Sequence, residues 1–125
     1  MLRIQTELRE SPGKGLGIFA KDFTPKGTLI WTRSYFDQAY KEAEIPWLTQ
    51  REKMYLYKYG YQEEGEWILC CDESKYMNHS STPNTLDNDR GTFARRDIQA
   101  GEEITCNYFE ICEWTKQNGL GFEEN

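Results

Sequence analysis

The sequence contains no long hydrophobic run. Its 125 residues include no stretch of about 20 apolar residues, which is the length that a membrane-spanning helix needs. Residues 1–13 also lack the apolar segment of a secretory signal peptide. We therefore expect a soluble, intracellular protein that makes no contact with a membrane.

Basic residues are in deficit. Lys plus Arg number 15 against 21 Asp plus Glu, so the net charge is -6 at pH 7. Proteins that bind nucleic acid usually present a basic face to the phosphates, and we expect no direct nucleic-acid binding here. A Lys-rich or Arg-rich peptide fits the sign of the charge. The alternative is that the acidity only keeps a small protein in solution.

Metal ligands are also scarce. The chain has one histidine, His79, and its 4 cysteines lack the paired CxxC spacing of zinc sites. We predict no metal site and four reduced thiols. The adjacent Cys70 and Cys71 would point to opposite faces of a strand.

The length and composition support one folded domain over residues 1–125. A chain of this size buries enough surface for a core and is too short for two domains. Short alternating or β-branched stretches, separated by Gly and Pro turns, predict a mainly β fold. The predicted strands are residues 2–8, 15–20, 28–32, 67–71, 92–96 and 103–109.

One segment between these strands has helical features. Apolar residues recur at helical spacing over residues 35–43. The string TQRE at residues 49–52 matches a capping box and predicts a helix over residues 50–59. We therefore predict a short helical insert at about residues 34–61, whose tyrosines belong to the core in preference to a site. A short tail follows at residues 110–125.

Three further segments have the composition of functional loops. KGLG at residues 14–17 lets the backbone approach a ligand closely, and an ordinary β-turn is the alternative. KYMNHSSTPN at residues 75–84 is dense in short polar side chains, which must either be hydrogen-bonded internally or form a site. GEEITCNY at residues 101–108 is a Gly turn followed by a strand, in which Tyr108 is either a core residue or a functional phenol.

In this order the three segments resemble the SET-domain family of protein lysine methyltransferases. GLG at residues 15–17 is similar to the family's first cofactor motif, residues 75–84 are similar to RFxNHSCxPN, and residues 101–108 are similar to GEELxYDY. The matching motifs extend from about residue 11 to residue 109. The resemblance implies a mainly β, β-clip-like SET fold of small sheets. It also implies a C-terminal pseudoknot, in which the last strand region threads beside the Asn-His-Ser segment.

The resemblance also implies an enzyme of this family. The methyl donor would be S-adenosylmethionine, and the acceptor would be a lysine ε-amine in a basic protein segment, such as a histone or histone-like tail in chromatin. Tyr108 matches the catalytic tyrosine. The protein would lie in the nucleus if eukaryotic or viral and in the cytoplasm if bacterial. The residues implied for cofactor binding are Lys14, Gly15, Leu16, Gly17, Tyr76, Asn78 and His79.

Two positions depart from the family pattern. Cys106 replaces a usual Phe or Tyr, so the lysine channel could accept di- or trimethylation. Ser81 replaces a cysteine that binds zinc in many relatives, and only Cys112 follows the last motif, so we predict no zinc. The lid of the channel must then come from elsewhere.

Two sources of that lid are open. One is the tail, through Phe109, Trp114 and Phe122. The other is a second subunit, because very small SET proteins resembling this one are known as dimers. A non-catalytic module that kept the fold and binds a peptide is the alternative to an enzyme. The matches at Tyr108 and Asn78 favour the enzyme, because a pure binding module has no need of the cofactor pocket.

Overall fold

Short strands dominate the fold. The structure, a computed structural model, describes residues 1–121. Two 3₁₀ helices, Glu42–Trp47 and Glu73–Tyr76, lie between the other elements. The prediction of a mainly β fold of small sheets is confirmed. In chain order the strands are β1 Thr6–Ser11, β2 Gly15–Ala20, β3 Leu29–Trp31, β4 Gln38–Lys41, β5 Tyr61–Glu63, β6 Glu66–Leu69, β7 Asn78–His79, β8 Thr85–Asn88, β9 Gly91–Ala94 and β10 Thr105–Cys106, and the α-helices are α1 Gln50–Tyr59, α2 Tyr108–Ile111 and α3 Glu113–Asn118.

The strands β1 and β2 form an antiparallel hairpin. β2 spans the predicted residues, whereas β1 begins later than the strand predicted over residues 2–8. Leu2 makes only an isolated bridge with Trp31, so the first residues pack on the core without joining a ladder. In the hairpin turn, the Lys14 N–H donates to the Ser11 carbonyl at 2.9 Å. The turn places the KGLG backbone at the start of β2.

Two antiparallel three-stranded sheets contain six of the remaining eight strands, and the other two, β7 and β10, pair with each other. One has the order β3-β9-β8 and the other the order β4-β6-β5. β6 and β9 correspond to the strands predicted over residues 67–71 and 92–96, and each is displaced slightly toward the N-terminus. β9 and β6 are thus the central strands on which the other four pair.

Helix α1 is the predicted helix of the insert. Thr49 is its N-cap: the Thr49 Oγ1 accepts from the Glu52 N–H at 3.1 Å, and a Glu52 carboxylate oxygen accepts from the Thr49 N–H at 2.7 Å. The capping box and the helix over residues 50–59 are therefore confirmed. The helix buries Leu56 against the second core cluster.

The rest of the insert is less helical than predicted. The apolar spacing over residues 35–43 is misleading, because Gln38–Lys41 forms β4 and pairs with β6. Tyr35 and Phe36 are exposed, so the periodic apolar residues form no buried helical face. Pairing with β6 decides the local structure here, as tertiary contacts often override propensity.

The hydrophobic core has two parts. The main cluster packs β2, β3 and β9 against the segments around residues 98 and 104. A smaller cluster packs the insert onto β6. The buried residues of the main cluster are Ile18, Ala20, Ile30, Ala94, Ile98 and Ile104, and those of the smaller one are Ile45, Leu56 and Trp67.

Near the C-terminus the chain passes between β2 and β7. On one side the Ile104 N–H donates to the Ile18 carbonyl at 2.9 Å. On the other side β10 pairs in parallel with β7, with Cys106 opposite His79. This is the arrangement expected of the pseudoknot, and it brings the last motif beside the Asn-His-Ser segment.

The strand predicted over residues 103–109 is shorter than expected. Asn107 ends it, because its side chain accepts from the Phe109 N–H at 2.9 Å and caps α2. Tyr108 therefore begins a helix and does not continue the strand. No helix in the described part of the chain has the length and apolar character to cross a lipid bilayer.

Candidate active site

One large cleft lies beside β7 and β10. Its volume is about 1150 Å³. Its walls come from the turn before β2, the end of α1 with β5, the segment from the second 3₁₀ helix to β8, and the C-terminal tail. The three sequence motifs therefore meet in one place. Of the predicted site residues, it is lined by Lys14, Gly15, Leu16, Tyr76, Asn78, His79, Cys106, Tyr108 and Trp114.

Tyr108 is held at both its backbone and its hydroxyl. The hydroxyl donates to the Met77 carbonyl at 2.9 Å, and the backbone N–H donates to His79 Nδ1 at 3.0 Å. Burial raises the pKa of the phenol well above its ordinary value, and neighbouring thiol and carboxyl groups add to the effect. The hydroxyl therefore stays protonated at neutral pH. It can orient a ligand by hydrogen bonding, but it is not a base.

His79 connects the motifs. Its side chain is buried, and because Nδ1 accepts from the Tyr108 N–H, a neutral ring carries its proton on Nε2. Its ring lies 5.2 Å from the Tyr108 ring, centroid to centroid. Its carbonyl accepts from Lys14 Nζ at 3.2 Å. The single histidine therefore fixes the relative positions of the first and last motifs.

Asn78 is positioned by Glu103. The Asn78 Nδ2 donates to a Glu103 carboxylate oxygen at 2.9 Å and to the Leu16 carbonyl at 3.0 Å. The other Glu103 oxygen accepts from Ser11 Oγ at 2.7 Å. Both amide hydrogens of Asn78 are thus used inside the protein, and within residues 1–121 its Oδ1 accepts no hydrogen bond.

Gly17 supports this network and does not line the cleft. It is buried, and a Cβ on it would lie 2.5 Å from a Glu103 carboxylate oxygen and 2.9 Å from Asn78 Nδ2. Only glycine allows β2 to approach these side chains so closely. A cofactor contact by Gly17 itself stays a prediction, and the geometry gives it a positioning role.

The turn of residues 14–16 forms one lip of the cleft. Gly15 has a φ of +79°, which favours glycine, and Leu16 is half exposed. Tyr76 lines the same cleft from the end of the second 3₁₀ helix, and its ring lies 5.2 Å from that of Tyr59 in an edge contact. Together these residues provide backbone polar groups and an aromatic surface.

Cys106 lies deep in the cleft. It is 3% exposed, and burial raises the pKa of its thiol well above the ordinary value. The nearby Asp87 and Glu110 carboxylates raise it further. A buried thiol with a raised pKa is a poor nucleophile, so a role of Cys106 in setting the size of the channel stays a prediction.

The C-terminal tail covers one side of the cleft. Cys112 Sγ accepts from the Gln62 N–H at 3.3 Å, and Glu113 accepts from the Gly65 N–H at 3.0 Å, so the tail is tied to the β5–β6 hairpin. Trp114 lines the cleft, and its role as a lid residue stays a prediction.

The other two predicted lid residues differ from Trp114. Phe109 is 42% exposed and is not part of the cleft wall, and its ring packs edge-on to that of His79, with 5.9 Å between centroids. Phe122 lies outside the described residues.

Sequence reasoning missed an aromatic wall. Tyr57, Tyr59 and Tyr61 line the cleft, so the expectation that the insert's tyrosines belong to the core in preference to a site is wrong for them. Burial raises the pKa of Tyr61, which keeps its hydroxyl protonated. A cluster of tyrosines at the end of a helix was the available signal, but helical spacing alone does not distinguish a core face from a cleft wall.

Asp87 was also missed. It follows the Asn-His-Ser motif on β8 and lines the same cleft as Cys106. One carboxylate oxygen accepts from Thr92 Oγ1 at 2.5 Å. Its other oxygen, Oδ2, is buried and has no hydrogen-bond partner within residues 1–121.

Metal ligands do not converge at the cleft. Within the part of the chain that the structure describes, no three His, Cys, Asp or Glu side chains are placed to hold a metal ion. The four cysteines are unpaired, with Cys70 buried and Cys71 exposed. That the protein works without zinc stays a prediction.

Comparison with known proteins shows which family the chain matches. Residues 15–109 match the family model of the SET domain. No curated protein sequence is significantly similar to the chain. Among solved structures, the crystal structure of a Plasmodium falciparum protein described as a candidate histone methyltransferase is similar, with a TM-score of 0.61 at 20% sequence identity. The similarity covers 86% of this chain and 95% of that one, and at this identity it shows a shared fold.

Proposed function

The chain belongs to the SET-domain family, and from this premise we propose that it is an S-adenosylmethionine-dependent protein-lysine methyltransferase. The methyl acceptor is the ε-amine of a lysine in a basic protein segment, such as a histone or histone-like tail. The observation that carries the proposal is the meeting of Tyr108, His79 and Asn78 with the turn of residues 14–16 in one cleft.

The polar groups of the cleft suit S-adenosylmethionine. Bound there, this group would supply a methyl carbon made electrophilic by a positively charged sulfur. Asn78 Oδ1, whose amide is fixed by Glu103, can accept from an α-ammonium group. Lys14 provides a positive charge for a carboxylate, and Tyr76 provides an aromatic surface for a purine. The residues present therefore fit the group.

Tyr108 would orient the reacting groups. Its hydroxyl is held by the Met77 carbonyl and stays protonated, so it offers a fixed dipole and not a proton acceptor. In-line methyl transfer requires alignment of the two reactants and exclusion of water. A buried phenol in a fixed position serves both needs.

The aromatic wall would help the amine to lose its proton. A lysine amine has a pKa near 10.4, so holding it neutral at pH 7.4 costs about 4 kcal/mol. Tyr61 and Trp67 lower that cost, because an ammonium group loses its hydration when it lies against aromatic side chains. Acidic residues at the rim, including Glu63 and Glu64, favour a basic substrate.

Cys106 bears on the number of methyl groups added. Its side chain is smaller than the Phe or Tyr usual at this position in the family, and it lies inside the cleft. We propose that the channel accepts di- or trimethylation.

A peptide-binding module without turnover is the second candidate function. The cleft is also compatible with peptide binding alone, because the acidic rim needs no cofactor. Calorimetry with S-adenosylmethionine distinguishes the two functions, since only the enzyme needs the methyl donor. Absence of any heat of binding would favour the module.

The direct test is methyl transfer. The protein is incubated with labelled S-adenosylmethionine and a mixture of core histones, ribosomal proteins and cell lysate, and the labelled lysine is identified by mass spectrometry. We expect Tyr108→Phe to keep the fold and to lose most of the transfer rate. Tyr40→Phe is the matched control, because Tyr40 also donates one hydroxyl hydrogen bond, to Gln38 at 2.7 Å, outside the cleft. Wild-type turnover by Tyr108→Phe would refute the role of Tyr108.

A further inference from the structure

Three tyrosine rings join helix α1 to the Asn-His-Ser segment. Tyr55 and Tyr59 lie one turn apart on α1, with 4.8 Å between their ring centroids. The Tyr59 ring lies 5.2 Å from the Tyr76 ring and is inclined to it by 71°. Tyr76 is the last residue of the second 3₁₀ helix and stands two residues before Asn78. Tyr59 is therefore a direct contact between the insert and the segment that leads into β7.

Lys75 contacts two of the same rings. Its ammonium group lies 5.6 Å from the centroid of the Tyr55 ring and 5.7 Å from that of the Tyr76 ring. A cation at this distance is attracted by the electron-rich face of an aromatic ring. A hydrogen bond with the Tyr55 hydroxyl also raises the pKa of the Lys75 ammonium group. The Tyr76 ring is thus in contact with both a second ring and a positive charge.

The backbone that carries Tyr59 is fixed where α1 ends. Gly60 follows Tyr59, and its N–H donates to the Leu56 carbonyl at 2.7 Å. A Cβ on Gly60 would lie 2.6 Å from the Leu56 carbonyl oxygen and 2.9 Å from that of Ile68 on β6. Leu56 itself is buried. The last turn of α1 is therefore packed tightly against β6, so the Tyr59 side chain contacts Tyr76 from a fixed point.

A ring held in this way is suited to receive a planar ligand. A tyrosine side chain without contacts changes between rotamers, and fixing it in one rotamer on binding costs free energy. Contacts that select the rotamer before binding reduce that cost. Tyr59 and Tyr76 both line the cleft, so the contact between their rings affects the shape that a ligand meets there.

We propose that Tyr59 is a positioning residue for the methyl donor: its ring holds the Tyr76 ring in the orientation that receives the purine of S-adenosylmethionine. This inference rests on the proposed function, because it takes the purine to lie against Tyr76. Tyr59 acts through its ring, which makes the contacts with Tyr55 and Tyr76. The affinity for the methyl donor therefore depends on the insert, which lies outside the three motifs.

The test is calorimetric titration of the full chain with S-adenosylmethionine. We expect Tyr59→Ala to bind it about fivefold more weakly than the wild type, which is the loss expected for one aromatic pair. Tyr59→Phe keeps the ring and should bind within twofold of the wild type. Met54→Ala is the matched control, because Met54 lies on the same helix, is 64% exposed and is outside the cleft. It should leave the affinity unchanged.

A double variant separates this role from a purely structural one. Because Tyr59 acts through Tyr76, adding Tyr59→Ala to Tyr76→Ala should weaken binding no further than Tyr76→Ala alone. In methyl transfer, Tyr59→Ala should raise KM for S-adenosylmethionine about fivefold, with a smaller change in kcat. If Tyr59→Ala does not fold, Tyr59→Leu keeps the apolar bulk without the aromatic ring and gives the same comparison.

The outcomes distinguish this inference from the proposed function. Equal affinity of the wild type and of the folded variant that lacks the Tyr59 ring would overturn the role of Tyr59 and keep the methyltransferase. A further loss of affinity in the double variant would also overturn it, because Tyr59 would then act independently of Tyr76. A wild type that binds no S-adenosylmethionine would overturn the proposed function, and the role of Tyr59 with it.

Discussion

Gly17→Ala tests the packing that positions Asn78. The added methyl group would lie 2.5 Å from a Glu103 carboxylate oxygen and 2.9 Å from Asn78 Nδ2, which is closer than nonbonded atoms approach. The Glu103 carboxylate cannot move freely, because Ser11 and Asn78 both donate to it. We therefore expect the substitution to break the hydrogen bond between Asn78 and Glu103.

The expected cost follows from that broken contact. A hydrogen bond to a charged group contributes about 1.5–3 kcal/mol to the free energy of unfolding. For a chain of this length, such a loss lowers the melting temperature by roughly 5–12 °C. Gly121→Ala is the control, because no atom lies within 4 Å of a Cβ at Gly121 and its φ is not in the left-handed region. It should change the melting temperature by less than about 2 °C.

The assay is a double-mutant cycle measured by urea unfolding. In the Glu103→Ala background the carboxylate is absent, so Gly17→Ala should cost much less than in the wild type. We expect an interaction free energy of at least about 1.5 kcal/mol between the two positions. The reasoning is refuted if Gly17→Ala costs the same in both backgrounds, or if it leaves the unfolding free energy of the wild type unchanged.

Three further predictions concern single side chains. Cys106→Phe should shift the products of exhaustive reaction from di- or trimethyl-lysine toward monomethyl-lysine, as read by mass spectrometry, and a wild type that stops at one methyl group would contradict this. A hydrogen bond from Arg96 lowers the pKa of Glu102 from 4.5 to about 2, so the ionised Glu102 stabilises the fold above pH 4.5 and this stabilisation is lost as pH falls through about 2. The difference in urea midpoint between wild type and Glu102→Gln should therefore shrink as pH falls from 4.5 to about 2, and a constant difference would contradict the pairing of Glu102 with Arg96. The exposed Cys71 should react first with a thiol reagent and the buried Cys106 only after unfolding, and equal labelling rates of the two in the folded protein would contradict the packing of Cys106.

Local sequence signals predicted the elements whose ends are set by capping or turn residues close by in the sequence. The helix at residues 50–59 was predictable because Thr49 and Glu52 satisfy each other's backbone donors, whatever the rest of the chain does. β2 was predictable because turn glycines precede it and apolar residues fill it. Such elements depend little on distant contacts.

Elements decided by distant partners were not predictable in the same way. β4 has helical spacing in its sequence, but its pairing with β6 outweighs that preference. The end of the last strand is set by Asn107, whose capping bond to Phe109 turns Tyr108 into a helix start. Asparagine is frequent both in turns and at helix caps, so its presence alone does not say which it forms.

The motif residues of the candidate site were predictable from the sequence, whereas the cleft-lining residues outside the motifs were not. The three motif segments identified Tyr108, Asn78 and His79 because their residue types recur in a recognisable order. Tyr61 and Asp87 belong to no motif, and only the folded chain brings them to the same cleft. A carboxylate without a donor is a property of packing, which a sequence pattern does not contain.

The path of residues 101–106 between β2 and β7 determines when during folding the cleft can form. Ser11 and Glu103 are hydrogen-bonded although they are 92 residues apart in the chain. Closing a loop of that length costs entropy before any contact is gained, so the contacts between β2 and residues 102–104 should form late. The N-terminal hairpin leaves the ribosome long before residues 101–106. The edge of β2 must therefore stay unpaired until that later segment arrives. Residues from both halves of the chain line the cleft, so a split or truncated chain should lack the proposed activity.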